Sequence, residues 1–174
     1  MAKETNAATE QQLVLFDLDS GHYAIDSRNV REIIRMQAIT KVPGAPASVE
    51  GVINLRGKVT PVLDLRKRLG LPAGDENKGT RIVVVEVEGQ DVGLTVDGVS
   101  EVLRIPVSVI EPTSTIAVAE GTDYILGVAN LGEKLVILLD IGRLLSGGEK
   151  QVQHNCLVCQ GLGSVPLIGW CQGV

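Results

Sequence analysis

Two stretches of the chain, Leu13–Leu18 and Ile82–Val87, are nearly continuous in apolar residues and dominated by Val, Leu and Ile. Runs this short, with that composition, predict strands. Each leads through a polar turn, Asp19-Ser20-Gly21 or Glu88-Gly89-Gln90, into a second strand, which is hairpin chemistry. A third strand is expected near Val30–Arg35 and again near Val99–Arg104, each ahead of a proline-containing loop. Two more strands flank a tight connection at Arg56-Gly57, and again at Gly132-Glu133. Each series closes on a short helix, Asp64 to Gly70 and Asp140 to Gly147, with an aspartate as N-cap and a glycine as terminator.

The pattern is therefore written twice. Residues 51–69, GVINLRGKVTPVLDLRKRL, match residues 127–145, GVANLGEKLVILLDIGRLL, at eight of nineteen positions with an offset of 76. The shared positions include Gly51/Gly127, Asn54/Asn130, Lys58/Lys134 and Asp64/Asp140, which two merely Val-rich strands would not share. A fainter echo, VREIIR at 30–35 and VSEVLR at 99–104, has an offset of 69. Each half reads as one supersecondary unit, repeated.

Five short strands per unit leave two edges exposed unless the sheet closes, so small barrels are expected. Units of this size have marginal cores alone and are expected to pack together. The sequence thus predicts a mainly β fold of two five-stranded β-barrel subdomains with short helices after each barrel. The first barrel is placed at about 13–80 and the second at about 81–146, with exchange of strands between them left open. Residues 1–12 are expected to be a flexible N-terminus and 147–174 a loosely ordered C-terminal tail.

Composition narrows the function. The formal net charge is −5 and only four residues are aromatic: Phe16, Tyr23, Tyr124 and Trp170. Nucleic-acid binding needs phosphate neutralisation and, for single strands, stacking platforms, so no nucleic-acid partner is expected. No apolar run approaches the ~20 residues that span a bilayer, and Met1-Ala2-Lys3-Glu4-Thr5 does not begin a signal peptide. A cytoplasmic protein without membrane insertion is the expectation. All three cysteines, Cys156, Cys159 and Cys171, lie in the C-terminal tail, so no disulfide framework holds the body together.

Catalytic chemistry is hard to assemble. The body contains a single histidine, His22, read as a solvated turn residue. No phosphate-binding loop is present, and Gly161-Leu162-Gly163 does not continue into a dinucleotide fingerprint. Asp19-Ser20-Gly21 has the form of an aspartic-protease motif, but the second half offers no partner carboxylate triplet, and turn formation explains it. Asp64 and Asp140 are accounted for as caps. In the tail, His154, Cys156, Cys159 and Cys171 form a zinc-type ligand set, although no second tight pair follows the Cys-x2-Cys. The change of composition after Lys150 favours a loosely ordered or non-native tail over metal binding. No catalytic residue, cofactor or metal is assigned.

Gly51-Val52-Ile53-Asn54-Leu55-Arg56-Gly57, followed by Pro61-Val62-Leu63-Asp64-Leu65-Arg66, closely resembles the signature of the CheW family. Val96-Asp97-Gly98-Val99-Ser100-Glu101-Val102-Leu103 resembles its second hallmark, and the likeness runs from Leu13 to Leu145. The resemblance implies SH3-like barrels and a non-enzymatic scaffold that couples methyl-accepting chemoreceptors to the histidine kinase CheA in bacterial chemotaxis. Implied partners are the kinase's regulatory domain and the receptor's cytoplasmic signalling tip, with recruitment to membrane receptor arrays. The family's receptor- and kinase-binding positions fall on Val30, Glu32, Gly51, Asn54, Arg56, Gly57 and Val102. The alternative is the CheW-like module of a CheV-type protein or of a kinase; an unrelated enzyme is the third class.

Structural roles compete at each position. Val30 and Val102 also suit a core, Gly51 and Gly57 suit backbone geometry, and Glu32 with Arg56 suits an ordinary surface pair. The second unit keeps the acid as Glu101 but has Gly132 where the first has Arg56, which favours a function specific to the first unit.

Overall fold

The two apolar runs are buried on both faces. In the computed structural model, which describes residues 10–72, 74–112 and 124–146, they lie in β1 (Glu10–Leu18) and β6 (Arg81–Val87). Successive side chains on a strand point to opposite faces, so Leu13 and Leu15 join one apolar cluster while Val14, Phe16 and Leu18 join another. In β6, Ile82 and Val84 point one way and Val83 and Val85 the other, all four fully buried. A strand covered on both sides has no polar face to show, which is why these runs do not alternate.

The remaining strands are β2 (Gly21–Asp26), β3 (Val30–Arg35), β4 (Val49–Leu55), β5 (Lys58–Asp64), β7 (Gln90–Val96), β8 (Gly98–Pro106), β9 (Ile110–Pro112), β10 (Ile125–Asn130) and β11 (Leu135–Leu139). Two short helices, α1 (Leu65–Arg68) and α2 (Ile141–Ser146), follow β5 and β11. The strands form one sheet in the order β8-β1-β2-β11-β10-β9 and another in the order β3-β6-β7-β5-β4. Each sheet curls around its own apolar cluster. Leu13, Leu15, Ile105, Ala129, Val136 and Leu138 fill the first, and Ile53, Val62, Ile82 and Val84 the second. A larger third cluster, including Phe16, Leu65, Leu94, Ile141 and Leu144, packs the two sheets and both helices together.

The sheets do not follow the halves of the sequence. A boundary near residue 80 separates the repeats, but β1–β2 sits in the middle of the sheet built from the second half. Conversely, β6–β7 fills the middle of the sheet built from the first. The two hairpins have been exchanged between barrels. Their apolar patterns are equivalent, so either could occupy either slot, and local pattern alone does not choose. The strand counts also differ from five and five. β9 adds a sixth strand to one sheet, whereas its counterpart in the other is a single bridge between Thr40 and Val52. Residues 10–12, expected to belong to a flexible N-terminus, are strand instead. Glu10, Gln11 and Gln12 belong to β1 because the long β8 reaches out to pair with them through Pro106, Ile105 and Arg104.

Polar contacts secure the helices and the exchange. Asp64 caps α1, its Oδ1 accepting from Arg66 N at 2.9 Å, and Asp140 Oδ1 accepts from Arg143 N at 3.2 Å. Burial pushes the Asp64 carboxyl above its ordinary value despite these bonds, with nearby Glu50 adding to the rise. From α1, Arg68 Nε donates to the Leu144 carbonyl of α2 at 2.8 Å, joining residues at equivalent places in the two repeats. Arg66 Nε donates to Asp97 Oδ1 at 2.8 Å, and the second Asp97 oxygen accepts from the Asp19 amide at 2.7 Å. Asp97 is the whole link between β7 and β8, so this contact ties the crossover to the turn of the exchanged hairpin. His22 is not simply solvated: its Nδ1 lies 2.6 Å from Asp17 Oδ1 across the β1–β2 pair.

Candidate functional site

In the β4–β5 hairpin Leu55 pairs with Lys58, leaving Arg56 and Gly57 as a two-residue turn. Both have positive φ, +52° and +82°, which suits the right-handed twist of the flanking strands. Asn54 closes the turn by accepting from the Gly57 amide at 2.8 Å through Oδ1. Gly57 thus serves geometry, since the left-handed region is open to glycine without penalty. An arginine there costs on the order of 1 kcal/mol or more.

That cost has a visible counterpart. Arg56 Nη2 donates to Glu32 Oε2 at 2.8 Å, with the arginine side chain 79% exposed and the glutamate 25%. Glu32 lies on β3 and Arg56 at the end of β4, the two outer strands of the five-stranded sheet, so the pair bridges the edges of the barrel. An ion pair this open to water is worth under ~1 kcal/mol. It does no more than offset the backbone penalty. The equivalent turn in the other sheet uses Gly132 at φ +85°, with Asn130 Oδ1 accepting its amide at 3.0 Å. There Gly132, and not Glu133, has positive φ, so the second barrel closes the corresponding hairpin with a different turn that puts only glycine in the left-handed region, and stability does not explain Arg56.

The other expected positions divide. Asn54, Arg56 and Gly57 are exposed together at the turn, and the half-buried Glu32 joins them through Arg56. Val30 is half-buried against the inter-sheet core behind it. Gly51 is buried at a β-bulge in β4, where an added Cβ would come within 2.8 Å of Ile39 Cγ2 and closer still to the Thr40 carbonyl oxygen. Gly127 meets the Glu111 carbonyl and Ile110 in the same way, so this glycine is a device of both barrels. Gly51→Ala is expected to destabilise the protein by about 1–3 kcal/mol through overpacking. The check is a lowered melting temperature, with any binding loss following the fall in folded protein. Val102 does not join the cluster: it is half-exposed on β8, at an edge of the other sheet.

Sequence reasoning passed over Val59, which is 75% exposed on β5 beside the turn. The signal was present in the alternation of β5, where Thr60 and Val62 are buried and Val59 faces outward. Among the described residues no group of three or more His, Cys, Asp or Glu side chains could hold a metal, and no helix is long and apolar enough to cross a membrane. His154, Cys156, Cys159 and Cys171 lie outside the described residues.

Comparison with known proteins agrees with this architecture. The family model for the CheW-like domain matches residues 12–149. The chemotaxis protein CheW of Klebsiella aerogenes is 34% identical over 155 residues, covering 89% of this chain and 93% of that protein. CheW of Treponema pallidum is 35% identical, covering 83% and 87%. Among solved structures, the scaffolding protein TtCheW from Thermoanaerobacter tengcongensis aligns with a TM-score of 0.73 and 37% identity, over 82% of this chain and 97% of that one. With the duplicated barrels and the signature turn both in place, the chain belongs to the CheW family, whose members are chemotaxis scaffold proteins and not enzymes.

Proposed function

We propose that this protein links the cytoplasmic signalling tip of a chemoreceptor to the regulatory domain of the histidine kinase CheA, and is held by those contacts at membrane receptor arrays. The Arg56–Glu32 pair is the polar centre of its partner surface. The observation that carries this reading is the strained, exposed arginine in a turn whose twin is glycine. A side chain held where the fold gains nothing from it is available for recognition. Arg56 spends one donor on Glu32, and a guanidinium has five in a planar fork, so it can engage a partner's carboxylate or carbonyl groups while Glu32 fixes its direction.

A mixing experiment tests the proposal directly. Full-length protein, a soluble receptor signalling fragment and a CheA regulatory domain should give a ternary complex on size-exclusion chromatography. If neither partner co-elutes with the protein, the proposed function is wrong.

A further inference from the structure

Because the hairpins are exchanged, each half of the chain completes the other half's barrel. From the first half, β2 pairs in parallel with β11 and β1 antiparallel with β8. From the second half, β7 pairs in parallel with β5 and β6 antiparallel with β3. Leu15 and Val84, on the two exchanged hairpins, are each buried in a core whose remaining strands come from the opposite half. Yet the halves are joined covalently at one place, the segment between α1 and β6. Residues 74–79 are all exposed, and their hydrogen bonds stay within residues 77–81. Asn77 N donates to Thr80 Oγ1 at 2.9 Å, the Gly79 amide to Asn77 Oδ1 at 2.7 Å, and Arg81 Nη1 to the Lys78 carbonyl at 2.7 Å. Straightening this segment therefore breaks no hydrogen bond between the halves.

We propose that two copies of this chain exchange halves, the first half of each completing the second half of the other, to give a dimer of two complete lobes. Every strand pairing re-forms inside a lobe, as do the contacts of Arg66 with Asp97 and of Arg68 with the Leu144 carbonyl. Only residues 74–79 change course. Such exchange is a low-cost route to a dimer, because no new interface has to be built. Glu32 and Arg56 both belong to the first half, so each lobe keeps one pair and the dimer presents two. The exchange itself does not rest on the role given to that pair. A short connection holds the two halves of one chain at an effective concentration on the order of millimolar. Dilute protein therefore folds as the monomer, and exchange requires refolding at a comparable concentration. Once formed, the dimer persists on dilution, because reverting means unpairing the middle strands of both sheets.

The test refolds the full-length chain, carrying a protease site inserted between Asp75 and Glu76, at about 1 mM and at about 1 µM. The concentrated sample should contain a dimer on size-exclusion chromatography that melts like the monomer. Cleaving the inserted site should then convert that dimer to particles of monomer mass, because the two loops are all that joins the lobes. A dimer that survives cleavage is held by surface contacts, and absence of any dimer from the concentrated sample means that the halves close only on themselves; either result overturns the proposal. A second arm refolds Leu15→Asp together with Val84→Asp, each of which should be unfolded alone because it buries a charge in a closed apolar core. Their mixture should regain a cooperative transition through the one lobe built from two unsubstituted halves. A mixture with no transition overturns the exchange as well.

Discussion

Arg56→Ala is expected to weaken binding to the receptor signalling fragment about thirtyfold while the melting temperature moves by no more than about 4 °C. The binding figure follows from truncating an interface arginine at a hot spot, ~2 kcal/mol or more. The stability figure follows from losing an exposed ion pair, under ~1 kcal/mol, in a chain where 1 kcal/mol shifts melting by only ~2–4 °C. Arg56→Gly sharpens the test, because it puts glycine at the left-handed first position of the turn, as Gly132 does in the other barrel. It removes the left-handed strain, so the protein should be as stable as the parent or up to about 1 kcal/mol more so, yet bind no better than Arg56→Ala. Lys134→Ala on the twin hairpin serves as the control and should leave receptor binding nearly unchanged. Normal binding by the Arg56 variants to both partners, or unfolding of Arg56→Ala, would refute the assignment.

Expressed separately, residues 1–76 and 77–174 are each expected to show no cooperative unfolding transition by circular dichroism. The reason is the exchange of hairpins. Removing β6–β7 takes the two middle strands from the order β3-β6-β7-β5-β4, so β3 loses its sheet partner altogether. Removing β1–β2 does the same to the other sheet, separating β8 from β11. Ile82, Val83, Val84 and Val85 are fully buried, and each such side chain is worth about 1.5–3 kcal/mol. Those four alone are comparable with the ~5–15 kcal/mol that holds a whole domain together. Mixing the halves should restore the transition. A half that melted cooperatively alone would show that its own hairpin can fold back into the vacant slot.

The two experiments probe different levels of the molecule. Arg56 lies on a surface the fold tolerates losing, whereas the hairpins are the fold. Gly51 stands between them: it belongs to the signature turn region, yet its contacts with Ile39 and Thr40 make it a packing residue. Variants there should be judged by melting before any binding loss is credited to contact with a partner.

Local chemistry was legible in the sequence because it depends on near neighbours. The apolar runs marked strands covered on both faces, the turns at Arg56-Gly57 and Glu88-Gly89 marked hairpins, and Asp64 marked a helix start; each appears where the pattern placed it. The repeat also made the missing second arginine visible. Tertiary structure alone decided what depends on distant partners. Glu32 and Arg56 are 24 residues apart and meet only because β3 and β4 become the two edges of one curled sheet. Val59 is bare while Leu63, on the same face of β5, is buried in the cluster between the two sheets. The repeats are too alike for sequence to say which hairpin fills which barrel. Equivalent apolar patterns satisfy either slot, and the choice rests with the short crossovers at Ser27–Asn29 and Asp97, which carry the chain from one sheet to the other.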